Sequence, residues 1–337
     1  MSSQPEWTPR GVMAMSRDVW TFCALMAGAR LNLFTSLDGA GKTVAELAAA
    51  VGGEPRATGM LATALVSVGL LKRNGDLLEL TPEGAKYFSA KSPDYFGNML
   101  VHQSHILPAW LRLDESVRTG KRVASATAAE SGDEVRRDAF LMAMHNGARL
   151  QARLVSEALA PRLEGRRSLL DLGGGPGTYA AEFCGRHPGL RGTVFDLPGS
   201  EKVAGTVLKM LGLEDRVAFV PGDYRTAPLP EGHDFVWVSQ VLHQEDPAQA
   251  AALIKKAAAA LTGGGMLVVQ EFLLDDALDG PPSSALFALN MLVNTPGGQA
   301  YTFGEMAGIL QSAGLADVGR IPAKLPPGCS LMGGVKP

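Results

Sequence analysis

Apolar positions along this chain follow one period in its first half and another in its second. From Arg17 to Phe34 they recur at helical spacing, which predicts an amphipathic helix. A second helix begins at Thr43, where Thr43 and Glu46 form the Thr-x-x-Glu pattern of a capping box. Pro55 stands at an expected first turn, and Arg56 to Leu71 repeats the helical spacing. Asn74-Gly75 then sits between two short apolar runs as a hairpin turn, and Thr81-Pro82-Glu83 opens another helix. Helix, helix, hairpin is a winged-helix pattern. The stretch from Arg112 to Asp138, with SATAAESGDE at its centre, is polar and reads as a loop joining two halves. Beyond it, short apolar strands alternate with helices, as in a doubly wound α/β sheet. The strands are expected at Ser168–Leu172, Gly192–Asp196, Val217–Val220, Phe235–Ser239, Met266–Glu271, Asp317–Ile321 and Ser330–Val335. Only KLPPGC separates the last two, too little for a crossover helix, so they should pair antiparallel.

Length supports the division, because 337 residues exceed what one hydrophobic core usually holds. The expected boundaries are 1–110, a connecting region 111–160, and 161–337. A net charge of −3 gives no electrostatic reason to expect nucleic acid or anionic membrane as a partner. The second helix of the winged-helix pattern carries Arg56 as its only basic residue, which favours a scaffold over a DNA reader. Cys23, Cys184 and Cys329 are scattered without CxxC spacing, which fits a reducing compartment and neither zinc nor disulfides. No signal peptide is visible, and the apolar run Val19 to Ala29 is half a membrane span. A soluble, cytoplasmic protein is expected.

The chemistry concentrates in SLLDLGGGPGTYAAEF: a buried strand, a glycine-rich turn and a helix start. Gly175-x-Gly177-x-x-Ala180, with Asp196 about twenty residues on, fits a dinucleotide site. Asp171 argues otherwise: a carboxylate there would repel a pyrophosphate but suits the ammonium and sulfonium of S-adenosylmethionine. Gly222-Asp223-Tyr224, at a further strand end, could set a carboxylate and a ring beside an adenine. His243, in VLHQEDP, follows the fourth strand and Glu271 ends the fifth. Both would face the crevice at the carboxyl ends of the strands.

Taken together, DLGGGPG, FDLPG, GDY, VLHQEDP, GGGMLVVQEFLLD, LNMLVNTPGG and YTFGEM occur in one family's order. The chain resembles the S-adenosylmethionine-dependent O-methyltransferases of the plant caffeic acid and hydroxyindole type and their bacterial relatives. That resemblance implies a Rossmann-like methyltransferase fold, seven strands with the last antiparallel, behind a mostly helical winged-helix domain that builds a homodimer. It implies that Asp171, Gly173 and Gly175 line the methionine end of S-adenosylmethionine, that Asp196 takes the ribose with Leu197 beside it, and that Asp223 and Tyr224 flank the adenine. His243 falls on the general base and Glu271 on the acid that orients it. Met144, Met291 and Thr295 fall on substrate-pocket positions, and His145, next to Met144, is expected to touch the substrate. Ser239 stands four residues before the base, where the family carries a lysine, and is counted with the cofactor contacts.

The expected reaction is metal-independent methylation of a small aromatic or polyketide-like hydroxyl. Asp275, Asp276 and Asp279 lack spaced partner ligands and read as a solvated loop. Two departures leave room for other chemistry on the same cofactor, such as hydroxylation, decarboxylation or pericyclic steps. Gln244-Glu245 replaces Asp-Trp, and Ala300 stands where a second acid is common.

Overall fold

The computed structural model describes residues 7–124 and 132–337. The chain divides after His105 into two compact units.

The first unit is helical with one hairpin. Its elements are α1 (Pro9–Arg30), α2 (Leu33–Leu37), α3 (Val44–Val51), α4 (Pro55–Ser67), β1 (Leu71–Asn74), β2 (Leu77–Leu80), α5 (Pro82–Phe88) and most of α6 (Gly97–Trp110). The single helix expected from Arg17 to Phe34 is broken in two. Asn32 adopts a left-handed conformation (φ 54°), which asparagine tolerates better than most residues. The turn returns Leu33, Phe34 and Leu37 onto Leu47, Leu65, Leu71 and Leu78 to form the core of this unit. The capping box is present: Thr43 Oγ1 accepts from the Glu46 N–H, and the Glu46 carboxylate accepts from the Thr43 N–H. The hairpin pairs Asn74 with Leu77, so its turn is Gly75-Asp76, one position beyond the expected pair.

The second unit holds α7 (Leu113–Thr119), α8 (Glu134–Leu163), β3 (Ser168–Leu172), α9 (Thr178–Arg186), β4 (Arg191–Asp196), α10 (Glu201–Met210), β5 (Val217–Pro221), β6 (His233–Ser239), α11 (Pro247–Ala259), β7 (Leu261–Phe272), α12 (Pro282–Asn294), α13 (Phe303–Ser312), β8 (Ala316–Ile321) and β9 (Cys329–Val335). The polar stretch expected to be a plain loop contains α7 and the start of α8. Arg112–Glu115 and Arg118–Asp114 pairs support α7, and Asp133 caps α8 through the Arg136 N–H. Most of SATAAESGDE lies outside the described residues.

The seven-stranded sheet runs β5-β4-β3-β6-β7-β9-β8. Six strands point the same way, and β9 runs against them, antiparallel to both β7 and β8. The short KLPPGC link thus acts as its length requires. Parallel strands are covered on both faces, which explains their near-continuous apolar runs. On one face Phe183 packs edge-on against Phe235 and Trp237, with ring centroids 5.5 and 5.2 Å away. On the other, Leu170, Val236, Val238 and Leu267 meet Ile254 and Ala257 of α11. Among the described residues no helix is long and apolar enough to cross a membrane.

Parallel register has one functional consequence. Asp171, Asp196, Ser239 and Glu271 all lie at or next to the carboxyl ends of neighbouring strands, on the same edge of the sheet. Phe183, buried at the centre of the aromatic cluster, is the test of this core. Phe183→Ala should cost about 3–5 kcal/mol, read as a lower urea midpoint for the second unit.

Candidate active site

The glycine loop begins where β3 ends. Gly173, Gly175 and Gly177 have φ of 69°, 50° and 74°, a conformation open to glycine and costly for other residues. A Cβ at Gly173 would stand 2.5 Å from Val241 Cγ2, and one at Gly174 would stand 2.5 Å from the Asp171 carboxyl carbon. Gly174, absent from the expected contacts, is therefore required for space. Only the unusual length of the glycine run hinted at it.

Asp171 is 1% exposed, and its Oδ2 accepts from the Ala180 N–H at 3.2 Å. Burial pushes its pKa up to about 7, and Asp196 adds to the rise. Asp196 is also raised by burial, while Gly175, Ser200 and Leu197 pull it back by hydrogen bonding. Its Oδ2 accepts from the Gly175 N–H (2.8 Å). Its Oδ1 accepts from the Leu197 N–H (2.7 Å) and the Ser200 hydroxyl (2.9 Å). A buried carboxylate and a half-buried one beside a glycine cradle suit a ligand carrying positive charge, not a pyrophosphate. S-adenosylmethionine fits that donor set.

His145 comes to this side of the site. It lies on α8, 1% exposed, with Nδ1 2.8 Å from the Thr178 hydroxyl on the first turn after the glycine loop. Burial lowers its pKa to about 4, so the ring is neutral. Its Nε2 and the Asn146 Oδ1 are buried without a hydrogen-bond partner among the described residues. Met144, also on α8, is half-buried.

The second cluster is built on β6 and β7. After Ser239 the chain passes through Gln240, which takes a left-handed φ of 54°, and enters a short 3-10 turn, Leu242–Gln244. That turn places His243 Nδ1 2.8 Å from Glu271 Oε2. Glu271 is 1% exposed, and its Oε1 accepts from the Leu242 N–H (2.9 Å) and the His243 N–H (3.4 Å). A carboxylate accepts, so Nδ1 is the ring nitrogen that donates to it, and in the neutral ring Nε2 is the acceptor.

Phe287 of α12 meets the imidazole edge-on at 4.8 Å and stacks on Phe272 at 4.2 Å. It was not anticipated, although it stands one helical turn before Met291. Met291 and Thr295 are buried. The Thr295 hydroxyl donates to the Met291 carbonyl and accepts from the Gly298 N–H, so it shapes the Pro-Gly-Gly turn. A Cβ at Gly298 would lie 2.3 Å from the His243 carbonyl oxygen, and that oxygen accepts from the Gln299 N–H. Ala300 is buried and supplies no acid.

Ser239 donates to Gln270 Oε1 (3.2 Å), and Gln270 Nε2 donates to Gln151 (2.7 Å). Gln270 was missed, though it directly precedes Glu271. Asp223 Oδ1 accepts from the Arg225 N–H (2.9 Å), and the Tyr224 hydroxyl donates to Glu245 (2.7 Å).

The family described as O-methyltransferase domain matches residues 110–316. The chain belongs to the O-methyltransferase family. This O-methyltransferase is 32% identical to the 3-hydroxy-5-methyl-1-naphthoate 3-O-methyltransferase of Streptomyces sahachiroi, over 96% of this chain and 94% of that protein. It is 34% identical to the tetracenomycin polyketide synthesis 8-O-methyl transferase of Streptomyces glaucescens, over 92% of each. The crystal structure of human N-acetylserotonin methyltransferase in complex with S-adenosylmethionine superposes with a TM-score of 0.87 at 27% identity, covering 100% of this chain and 99% of that one. The protein is a methyltransferase that uses S-adenosylmethionine.

Asp171 offers a test free of any acceptor. Its carboxyl holds a proton more tightly in the fold than in the unfolded chain, where the ordinary value is 3.8. Its contribution to stability is therefore full below about pH 4 and is lost as pH rises through about 7. Melting temperatures of the ligand-free enzyme at pH 5 and pH 8 should differ less in Asp171→Asn than in the wild type. Equal differences in both would exclude a proton held at Asp171.

Proposed function

We propose that this O-methyltransferase methylates a hydroxyl on a small aromatic or polyketide-type acceptor, with His243 as general base and Glu271 as its orienting partner. The observation that carries the reading is the buried 2.8 Å contact between His243 Nδ1 and Glu271, which leaves Nε2 as the ring's open acceptor. Support for the acceptor class comes from the naphthoate and tetracenomycin relatives and from the flat Phe272–Phe287 stack beside the imidazole.

A phenol has a pKa of about 10 and keeps its proton at neutral pH, so it is a poor nucleophile until a base removes it. S-adenosylmethionine, when bound, supplies a methyl group already activated on a sulfonium. His243 Nε2 takes the hydroxyl proton as the oxygen attacks. Glu271 steadies the resulting imidazolium through Nδ1 and fixes the ring's tautomer. Asp171, Gly173 and Gly175 hold the amino-acid end of the cofactor, Asp196 with Leu197 the ribose, and Asp223 with Tyr224 the purine. Ser239 and His145 border that site, while Met144, Met291 and Thr295 border the acceptor. Much of the remaining rate comes from holding oxygen and methyl in line.

His243→Ala should lower turnover at least about 100-fold and leave S-adenosylhomocysteine affinity nearly unchanged. Transfer of labelled methyl to a hydroxynaphthoate acceptor reads the first quantity and calorimetry the second. Turnover equal to wild type would remove His243 from the role.

The same reading includes a homodimer built on the first unit. On α1 and just before it, Trp7, Met13, Val19 and Trp20 expose large apolar surfaces, Trp7 at 77% and Trp20 at 69%, which a second copy would cover. Light scattering of the full chain should give twice the mass of 35.4 kDa, and a monomer at micromolar concentration would refute it.

A further inference from the structure

Glu245 is a buried carboxylate with a position of its own. It lies two residues after His243, where the resemblance leads one to expect tryptophan, and its side chain is 2% exposed. Its Oε1 accepts from the Tyr224 hydroxyl at 2.7 Å and from Arg225 Nε and Nη2 at 3.0 and 2.6 Å. The Arg225 guanidinium also lies 5.4 Å from the Tyr224 ring centroid. Lys256 Nζ donates to the Tyr224 carbonyl at 2.8 Å, so this segment is held through both side chain and backbone. The backbone of Glu245 belongs to the His243 turn. Its N–H donates to the Leu242 carbonyl at 3.0 Å, and its own carbonyl accepts from the buried Tyr301 hydroxyl at 2.7 Å.

A carboxylate buried like Glu245 adds little net stability even when paired, here with a half-exposed guanidinium, since its desolvation offsets the attraction. An apolar or aromatic residue would fill this place at no such cost. The carboxylate's distinctive effect is directional: it fixes one phenol ring and one guanidinium relative to the turn that carries the base.

We propose that Glu245 is a positioning residue for the purine of S-adenosylmethionine, locking the Tyr224 ring through its hydroxyl and Arg225 and tying that ring to the His243 turn. This rests on the reading of Asp223 and Tyr224 as the pair that flanks the purine. Removing the carboxylate frees the ring, so cofactor affinity falls while the Glu271–His243 contact stays intact.

The experiment is calorimetric titration of the full chain with S-adenosylhomocysteine, with thermal melting as a check on folding. Glu245→Leu should weaken binding about tenfold, because it deletes hydrogen bonds to a charged group. Glu245→Gln accepts the same bonds and should return to within about threefold of wild type. Tyr224→Phe removes one oxygen, leaves the Arg225–Glu245 pair in place, and should weaken binding in the wild type but add nothing in the Glu245→Leu background. Wild-type affinity in a folded Glu245→Leu protein overturns the proposal. If that variant fails to fold, wild-type affinity in Tyr224→Phe does so. Asp223→Ala separates the two layers. Weakened binding there, with none in Glu245→Leu, removes Glu245 alone, whereas unchanged binding in both removes the purine assignment as well.

Discussion

A buried carboxylate must find donors, and among the described residues the Glu271 carboxylate finds them on one turn. Leu242 and His243 offer backbone N–H groups to Oε1, and the imidazole offers Nδ1 to Oε2. Without them, an ionised group 1% exposed would carry a desolvation penalty of several kcal/mol. The turn after β6 is therefore obliged to fold back over the end of β7. Gln240 adopts a left-handed backbone to start that return, a strain of the kind that clusters at functional sites. Gly298 gives up its side chain so that the Pro-Gly-Gly turn can close on the His243 carbonyl.

The cofactor side obeys a related constraint. Asp171 is fully buried and Asp196 half-buried; burial raises the cost of charging each, and Asp196 adds to that cost at Asp171. A cationic ligand relieves that cost, and a phosphate would aggravate it. The two halves of the site are also in mechanical contact. The backbone of Gly173 approaches Val241 so closely that no Cβ fits between them, and Val241 is two residues from His243.

Departures from the family pattern are absorbed by hydrogen bonds among the side chains around them. Where a lysine is common, Ser239 joins Gln270 and Gln151 in a chain of side-chain bonds. Where a second acid is common, Ala300 is buried, and Glu271 holds His243 with both of its oxygens engaged. The loss of tryptophan after His243 brings in Glu245, with Tyr224 and Arg225 as its partners.

Local rules made much of this protein legible from its residues. The Thr43 capping box, the hairpin near Gly75, the strand at Ser168–Leu172 and the antiparallel final pair follow from spacing and turn chemistry acting over a few residues. Asp171, His243 and Glu271 stood out because strand ends in a parallel sheet share one edge. Other features depend on contacts between segments distant in sequence. The break at Asn32 answers to the core around Phe34, and His145 turns to Thr178 because α8 packs against α9. Phe287 and Gln270 gain their roles only when α12 and β7 meet the His243 turn. Glu245 is no more than a departure from the family pattern until Tyr224, twenty-one positions earlier, arrives from the loop after β5. Periodicity and capping are short-range and survive in a sequence read alone. The burial of a single carboxylate, and the choice of its donors, is decided by packing.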